Sequence, residues 1–150
     1  PWQNHHGRVF RATGSKKLKY LLDTHTFLWS IMDTTKLSSP VLDIICQGNT
    51  DIFVSSISFW EIAIKVQLGK LQFTNFHLLH LPNIADQYEF TIHTPSPYDY
   101  ITYAELAAVE GHRDPFDRML IHSAIRNNMT ILSCDRWFKE YKAQGLQLLW

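Results

Sequence analysis

The 150-residue chain contains few cysteines and no long apolar run, and both features limit the classes of protein to which it can belong. Cys46 and Cys134 stand apart, without the paired spacing of a zinc site or a disulfide framework, so reduced thiols are expected. No segment approaches the roughly 18 apolar residues that span a bilayer, and the N-terminus lacks the apolar core of a secretory signal. The sequence therefore predicts a cytoplasmic protein that does not associate with a membrane.

Acidic residues are missing before Asp23, although the formal net charge of the whole chain is zero. Residues 1–17 hold four of the 14 basic residues, so the remainder has 10 basic against 14 acidic residues and a net charge of −4. A mildly acidic domain lacks the broad basic face of a general nucleic-acid-binding protein. Any polynucleotide must bind locally, where metal ions could offset the acids.

The first 17 residues show no helical or strand periodicity, and they contain a His pair and a Gly-Ser step. We interpret residues 1–17 as an N-terminal extension, either an added leader or a read-through sequence, and expect it to be disordered. A basic arm that contacts a partner is the weaker alternative. Residues 18–150 form the predicted domain, which is long enough to bury about 70% of its unfolded surface.

Short apolar runs alternate with helical patterns through this domain. The predicted strands lie at residues 18–22, 51–55, 90–93, 130–132 and 146–150. The predicted helices lie at residues 24–32, from 40 onward, 58–68, 98–108, 115–127 and through 137–141, with a broken helical pattern at 76–88. Strands that alternate with helices indicate a parallel sheet covered on both faces, and hence an α/β fold.

Four acids follow predicted strands or begin predicted helices: Asp23, Glu61, Asp117 and Asp135. Helix capping alone explains Asp135, and a capping box with Ser58 explains Glu61, which also has Lys65 four residues later for a surface ion pair. Asp117 suits the dipole of its helix, for which Asp114 is the natural cap.

Asp117 and Asp23 favour a functional interpretation. Asp117 falls on the apolar stripe of its helix with Ile121, whereas Arg118 belongs to the polar stripe. A carboxylate on the packed side of a helix is costly unless it is paired or binds a cation. Asp23 ends an apolar strand, where solvation does not explain it, although capping by Asp23 or Thr24 stays possible.

The functional interpretation is stronger for the four acids as a set than for each acid alone, because the carboxyl ends of parallel strands meet at one edge of the sheet. Carboxylates crowded at this edge would raise one another's pKa values unless a divalent ion neutralised them. Mg²⁺ and Mn²⁺ favour such oxygen ligands. Paired ions about 4 Å apart support in-line phosphoryl displacement.

The chain contains four motifs in order: LLDTHT at 21–26, SSISFWE at 55–61, HRDPFDR at 112–118 and SCD at 133–135. These motifs resemble those of the PIN-domain ribonucleases, and most closely those of the VapC-type toxins of bacterial toxin–antitoxin pairs. The resemblance extends over residues 18–150, and the ordered set is far more specific than any one motif. One departure is His25, which stands where PIN domains often have Asn.

This resemblance implies a PIN-like three-layer α/β/α sandwich with a central parallel sheet, and an endoribonuclease that depends on Mg²⁺ or Mn²⁺. The implied catalytic and metal-binding residues are Asp23, Glu61, Asp117 and Asp135. The expected substrate-binding residues are Ser133, Arg118 and Lys65. The implied partners are an RNA substrate, a cognate antitoxin protein and a second copy of the chain in a homodimer.

Two other functions compete with this interpretation. A phosphohydrolase of the haloacid-dehalogenase type also begins with a strand that ends in Asp, but it needs a second Asp where His25 stands. A catalytically silent PIN-like interaction module would keep the fold without cleaving RNA. All four acids are present, which favours the nuclease.

Overall fold

The structure, a computed structural model, describes residues 16–150, and its centre is a five-stranded parallel sheet. The strands are β1 (Lys19–Leu22), β2 (Asp51–Ser55), β3 (Thr91–His93), β4 (Thr130–Leu132) and β5 (Gln147–Leu149). Their order across the sheet is β3-β2-β1-β4-β5. The predicted parallel sheet is thus confirmed, with β1 at its centre.

Helices cover both faces of this sheet. The α-helices are α1 (Thr24–Met32), α2 (Ser39–Cys46), α3 (Ser56–Gln67), α4 (Leu81–Gln87), α5 (Pro97–Thr102) and α6 (Pro115–Arg126). Short 3-10 helices occupy Thr34–Lys36, Leu78–His80, Tyr103–Glu105 and Phe138–Gln144. No helix among residues 16–150 is long and apolar enough to cross a membrane.

Successive residues of β1 point into different cores, which explains why the strand reads as a continuous apolar run. Leu22 joins a cluster that includes residues of α1, α2 and α4. Leu21 joins a second cluster on the other face, built largely by α6 and the Phe138–Gln144 turn. Both leucines are fully buried, so the chain has the three-layer α/β/α architecture expected from its sequence.

Three of the strands end at the same edge of the sheet. Leu22 pairs with Val54 of β2 and with Leu132 of β4, so these strands end at nearly the same level. The backbone N–H of Asp23 donates to the carbonyl of Leu132 at 3.3 Å, which extends the pairing by one residue. The residues after β1, β2 and β4 therefore share the carboxyl edge of the sheet.

Helix boundaries account for most differences from the predicted elements. Helix α3 begins two residues earlier than predicted, because Ser55 is its N-cap and accepts the N–H of Ile57 at 3.2 Å. The predicted capping box of Ser58 with Glu61 is therefore wrong. The predicted helix at 98–108 ends as α5 at Thr102 and continues only as a 3-10 turn. Most of the predicted N-terminal extension lies outside the described residues.

Candidate active site

Asp23 both caps a helix and faces the carboxyl edge of the sheet. Its Oδ1 accepts the backbone N–H of Thr26 at 2.7 Å, and its Oδ2 accepts the hydroxyl of Ser133. Burial raises the pKa of Asp23, and the hydrogen bonds from Ser133 and Thr26 oppose that shift. The Thr26 hydroxyl also donates to the Leu132 carbonyl at 2.8 Å, which ties α1 to β4. Asp23 is thus the cap of α1 and also lies at the candidate site.

Glu61 is buried on α3 rather than exposed to solvent. Its Oε2 accepts the Thr24 hydroxyl at 2.5 Å, and this hydroxyl also lies 2.9 Å from that of Ser58. The Lys65 ammonium lies 2.8 Å from Glu61 Oε1, so the predicted ion pair is present, although it is partly buried. These contacts hold Glu61 beside the residue that follows Asp23.

Asp117 lies in the first turn of α6, which Asp114 caps as predicted. One oxygen of Asp114 accepts the N–H groups of Phe116 at 2.9 Å and Asp117 at 3.1 Å. The Asp117 side chain is 21% exposed and lies 3.3 Å from His112 Nε2. Asp117 is therefore partly buried, and among residues 16–150 its side chain has one direct polar partner, His112.

The pKa of Asp117 shows that the acids act on one another. Burial, followed by the negative charges of Asp114, Glu61, Asp135 and Asp23, raises the pKa of Asp117 to about 8. Like charges have this effect only when they are close or poorly screened. The four predicted acids therefore share one electrostatic environment at the edge of the sheet.

Ser133 connects two of these acids. Its hydroxyl donates to Asp23 and accepts the backbone N–H of Asp135 at 3.1 Å. Asp135 in turn caps the following turn by accepting the N–H of Trp137 at 2.8 Å. Ser133 is buried and its hydroxyl orients Asp23 in this structure, and the phosphate contact expected from the sequence stays a prediction.

The acids suit a hard divalent cation by their chemistry. They offer carboxylate oxygens, and their mutual repulsion is the kind that a bound cation relieves. Within the part of the chain that the structure describes, no three His, Cys, Asp or Glu side chains converge closely enough to ligate an ion together. The acids interact electrostatically in this structure, but the described residues do not form a complete metal-binding site.

The guanidinium of Arg118 is hydrogen-bonded to neighbouring segments of the chain. It donates to the hydroxyls of Tyr103 at 3.1 Å and Tyr141 at 2.9 Å, and to the carbonyls of Leu106 at 3.0 Å and Ala107 at 3.3 Å. The side chain is only 9% exposed. Arg118 therefore holds α6 to its neighbours, and its contact with a substrate phosphate stays a prediction.

The polar stripe of α6 is covered by other segments of the chain. His122, on the same stripe, is also buried, and its Nε2 lies 3.0 Å from the Thr102 hydroxyl. Helical periodicity identifies a face, but it does not say whether another segment packs on that face.

From the sequence, His112 could either line the active cleft or be a satisfied polar group, and in the structure it contacts Asp117. Its Nε2 faces Asp117, its Nδ1 lies 2.8 Å from the Tyr141 hydroxyl, and its ring stacks on Trp137 at 5.5 Å. Gly111 permits this packing, because it has φ +83° and an added Cβ would lie 2.8 Å from the Trp137 ring. The only sequence signal was the position of His112 in the HRDPFDR motif.

The chain belongs to the PIN-domain family. A family model of the PIN domain matches residues 20–144, which confirms the resemblance inferred from the motifs. The comparison with curated proteins found no match.

Solved structures of VapBC proteins share the fold. VapBC2 from Rickettsia felis, bound to a promoter DNA fragment, is 19% identical with a TM-score of 0.60, and the match covers 88% of this chain and 98% of that chain. DNA-bound VapBC from Salmonella typhimurium is 16% identical with a TM-score of 0.62, covering 88% and 97%. VapBC-1 from nontypeable Haemophilus influenzae gives the same four values. At these identities the likeness concerns the fold.

Replacing Arg118 by Lys tests its structural role. Arg118→Lys keeps the positive charge but loses the planar guanidinium that reaches four acceptors. We expect the free energy of unfolding in urea to fall by about 2 kcal/mol or more, since buried acceptors lose their donors. Arg126→Lys is the matched control, because its 38% exposed guanidinium pairs only with Asp99 on α5. Unchanged stability together with weakened RNA binding would contradict this role.

The raised pKa of Asp117 predicts that the metal-free protein loses stability as pH rises. Between the ordinary value of 3.8 and about 8, the folded state keeps a proton on Asp117 that the unfolded state has released. Unfolding free energy measured in a chelator should therefore fall between about pH 5 and about pH 8.5, by more than about 1.4 kcal/mol. Asp117→Asn should flatten this decline, and Asp43→Asn, an exposed acid on α2, should not. An equal decline in Asp117→Asn would refute the assignment.

Proposed function

We propose that this PIN-domain protein is an endoribonuclease that depends on Mg²⁺ or Mn²⁺ and hydrolyses RNA phosphodiester bonds. The observation that carries the proposal is the register of β1, β2 and β4, which end at the edge of the sheet where the candidate acids lie. Burial, followed by the negative charges of Asp114, Glu61, Asp135 and Asp23, raises the pKa of Asp117 there to about 8. Such a concentration of negative charge is unfavourable in the free protein and becomes favourable when a divalent cation binds. The VapBC fold likeness supports the same conclusion.

In this proposal Asp23 and Asp117 hold the principal ion, and Glu61 and Asp135 complete the site directly or through water. When bound, the ion polarises the scissile phosphate and lowers the pKa of the attacking water. The phosphate is thereby placed at the carboxyl edge of the sheet, where strand and helix ends fix the acids.

The surrounding residues orient the acids. Ser133 and the Thr26 N–H hold the two oxygens of Asp23, and Thr24 holds one oxygen of Glu61. His112 lies against Asp117. Lys65 neutralises part of the charge of Glu61 and remains partly exposed, so it can also contact an RNA phosphate.

The double variant Asp23→Asn plus Asp117→Asn tests the nuclease. The amides keep the shape of the acids but remove the two charges that the ion needs, so we expect cleavage of total RNA in Mg²⁺ to fall at least about 100-fold. Mapping the cleaved ends of the wild-type products identifies the bonds that are cut. Asp43→Asn is the matched control, since it removes one carboxylate far from the site.

Three outcomes would overturn this proposal: cleavage by the double variant at the wild-type rate, full activity in a chelator, or no cleavage by the wild-type chain. The same pair of proteins tests a cellular role. Expression of the wild-type chain should arrest bacterial growth, and expression of the double variant should not.

We further propose that the chain is the toxin of a toxin–antitoxin pair and is restrained by a cognate antitoxin protein. The support is the fold shared with VapBC proteins, whose structures contain such pairs. Co-expression of the antitoxin should relieve the growth arrest.

A homodimer is also part of the proposal, and an exposed apolar surface supports it. This surface, the Trp60 patch, surrounds a cavity of about 260 Å³ lined by Trp60, Tyr100, Tyr103, Phe116 and Met119 among others. Trp60 is 61% exposed and its ring packs edge-on against Phe116 at 5.2 Å. Exposed apolar surfaces of this kind mark interaction sites. Because Trp60 precedes Glu61 and Phe116 precedes Asp117, pairing here would bring two active sites near each other.

Trp60→Glu tests this dimer. A buried charge at the interface should shift the protein to a monomer, which sedimentation velocity would detect as a halving of mass. Leu79→Glu is the control, because Leu79 is a similarly exposed apolar residue outside the Trp60 patch. A wild-type monomer, or a dimer that survives Trp60→Glu, would contradict the use of this surface.

A further inference from the structure

A second cavity, of about 510 Å³, opens between α1 and the carboxyl end of α3. We call it the lysine groove and define it by Lys36, Lys65, Lys70, His25 and Trp29, all of which line it. Its volume lies within the range of about 300–1,000 Å³ that is usual for ligand sites. The groove is therefore large enough to receive a nucleobase and part of a sugar-phosphate backbone.

The groove reaches the acids through Glu61. Thr24 and Lys65 both line the groove, and both contact Glu61, at 2.5 Å and 2.8 Å. Thr24 also directly follows Asp23 in the sequence. A polymer that lay in the groove would thus have one end beside the carboxyl edge of the sheet.

The charge of the groove is unlike that of the rest of the domain. Three lysines line it, although residues 18–150 have a net charge of −4. Its one lining carboxylate, Asp33, accepts the N–H and hydroxyl of Thr35 at 3.2 Å and 2.5 Å, and the Thr35 hydroxyl bond lowers the pKa of Asp33. This local excess of ammonium groups suits a polyanion, and it provides the restricted binding surface that the acidic domain requires.

The aromatic residues of the groove provide a surface for a base. Trp29 is half-buried, and its ring is held edge-on by Trp150 at 5.9 Å. The exposed His25 ring lies 5.8 Å from it, and the Lys36 ammonium lies 6.0 Å from the ring centre. Lysines interleaved with a fixed aromatic ring are the combination used by proteins that bind single-stranded nucleic acids.

We propose that the lysine groove binds single-stranded RNA next to the scissile phosphate. Trp29 and His25 stack on one base, while Lys36, Lys65 and Lys70 contact the flanking phosphates. A single strand is required, because a base in a duplex is already stacked and paired. The inference rests on the proposed nuclease function, since the strand in the groove leads to the acids. A helix of a protein partner is the competing occupant, but it fits the lysines less well than a phosphate backbone does.

The test measures RNA binding without cleavage. In the full-length chain carrying Asp23→Asn and Asp117→Asn, the fluorescence anisotropy of a labelled single-stranded RNA reports the dissociation constant. Adding Lys36→Ala and Lys70→Ala should weaken binding about tenfold or more at low salt. It should also reduce the slope of log affinity against log salt by about 1.4, the value for two lost phosphate contacts. Lys65 is left unchanged because it contacts Glu61.

The matched control removes the same charge elsewhere. Lys19 stands at the opposite end of β1 and Lys142 lies in the Phe138–Gln144 turn, and both are exposed. Lys19→Ala plus Lys142→Ala should leave RNA affinity within about twofold. An equal loss of affinity in this control would mean that only net charge matters, and it would overturn the groove proposal.

Trp29 gives an independent test of stacking. Trp29→Leu should weaken binding about tenfold, whereas Trp29→Phe, which keeps a ring, should retain most of the affinity. Circular dichroism and thermal unfolding establish that both variants are folded. In the unsubstituted groove, RNA that contains 4-thiouridine should crosslink to the peptide that carries His25 and Trp29.

The outcomes separate this inference from the proposed function. If the wild-type chain cleaves RNA but the Lys36, Lys70 and Trp29 variants bind RNA unchanged, the groove proposal fails, the nuclease stands, and the groove is left for a protein partner. Equal affinity for a duplex of the same length would also overturn the groove proposal. If the wild-type chain neither binds nor cleaves RNA, the proposed function fails and the groove proposal fails with it.

Discussion

Repulsion among carboxylates at the carboxyl edge of a parallel sheet is the constraint around which this protein is built. Since β1, β2 and β4 run in the same direction and in register, the residues that follow Leu22, Ser55 and Leu132 must meet. Asp23 and Asp135 follow β1 and β4, Glu61 lies on α3 after β2, and Asp117 lies in the first turn of α6. Burial, followed by the negative charges of Asp114, Glu61, Asp135 and Asp23, raises the pKa of Asp117 to about 8.

Several polar groups near this edge donate hydrogen bonds to the acids. Hydroxyls of Thr24 and Ser133 hold Glu61 and Asp23 in place. Arg118 acts one step further away, since its guanidinium fastens α6 to the backbone at Leu106 and Ala107 and thereby fixes the helix that carries Asp117. The unfavourable charge cluster thus persists because many ordinary hydrogen bonds and a buried helix restrain it.

Helix α3 connects the three surfaces that bear on function. Trp60 projects into the exposed Trp60 patch, Glu61 turns into the acid site, and Lys65, one turn later on the face of Glu61, lines the lysine groove. Neighbouring positions on a helix differ by about 100° in direction, so three residues within six positions can face three different environments. The ion pair of Glu61 with Lys65 joins the acid site to the groove, which makes their electrostatics interdependent.

The sequence by itself determined the α/β architecture, the strand positions, the family and the Asp114 cap, because strands buried on both faces are apolar throughout and capping depends on nearby residues. The four candidate acids were also recognisable from their motifs. Only the tertiary structure decided the surroundings of Glu61 and the role of Arg118. Thr24, which meets Glu61, is 37 residues away from it in the sequence. Whether a polar side chain is solvated or buried depends on segments that pack from a distance, and helical periodicity carries no information about them.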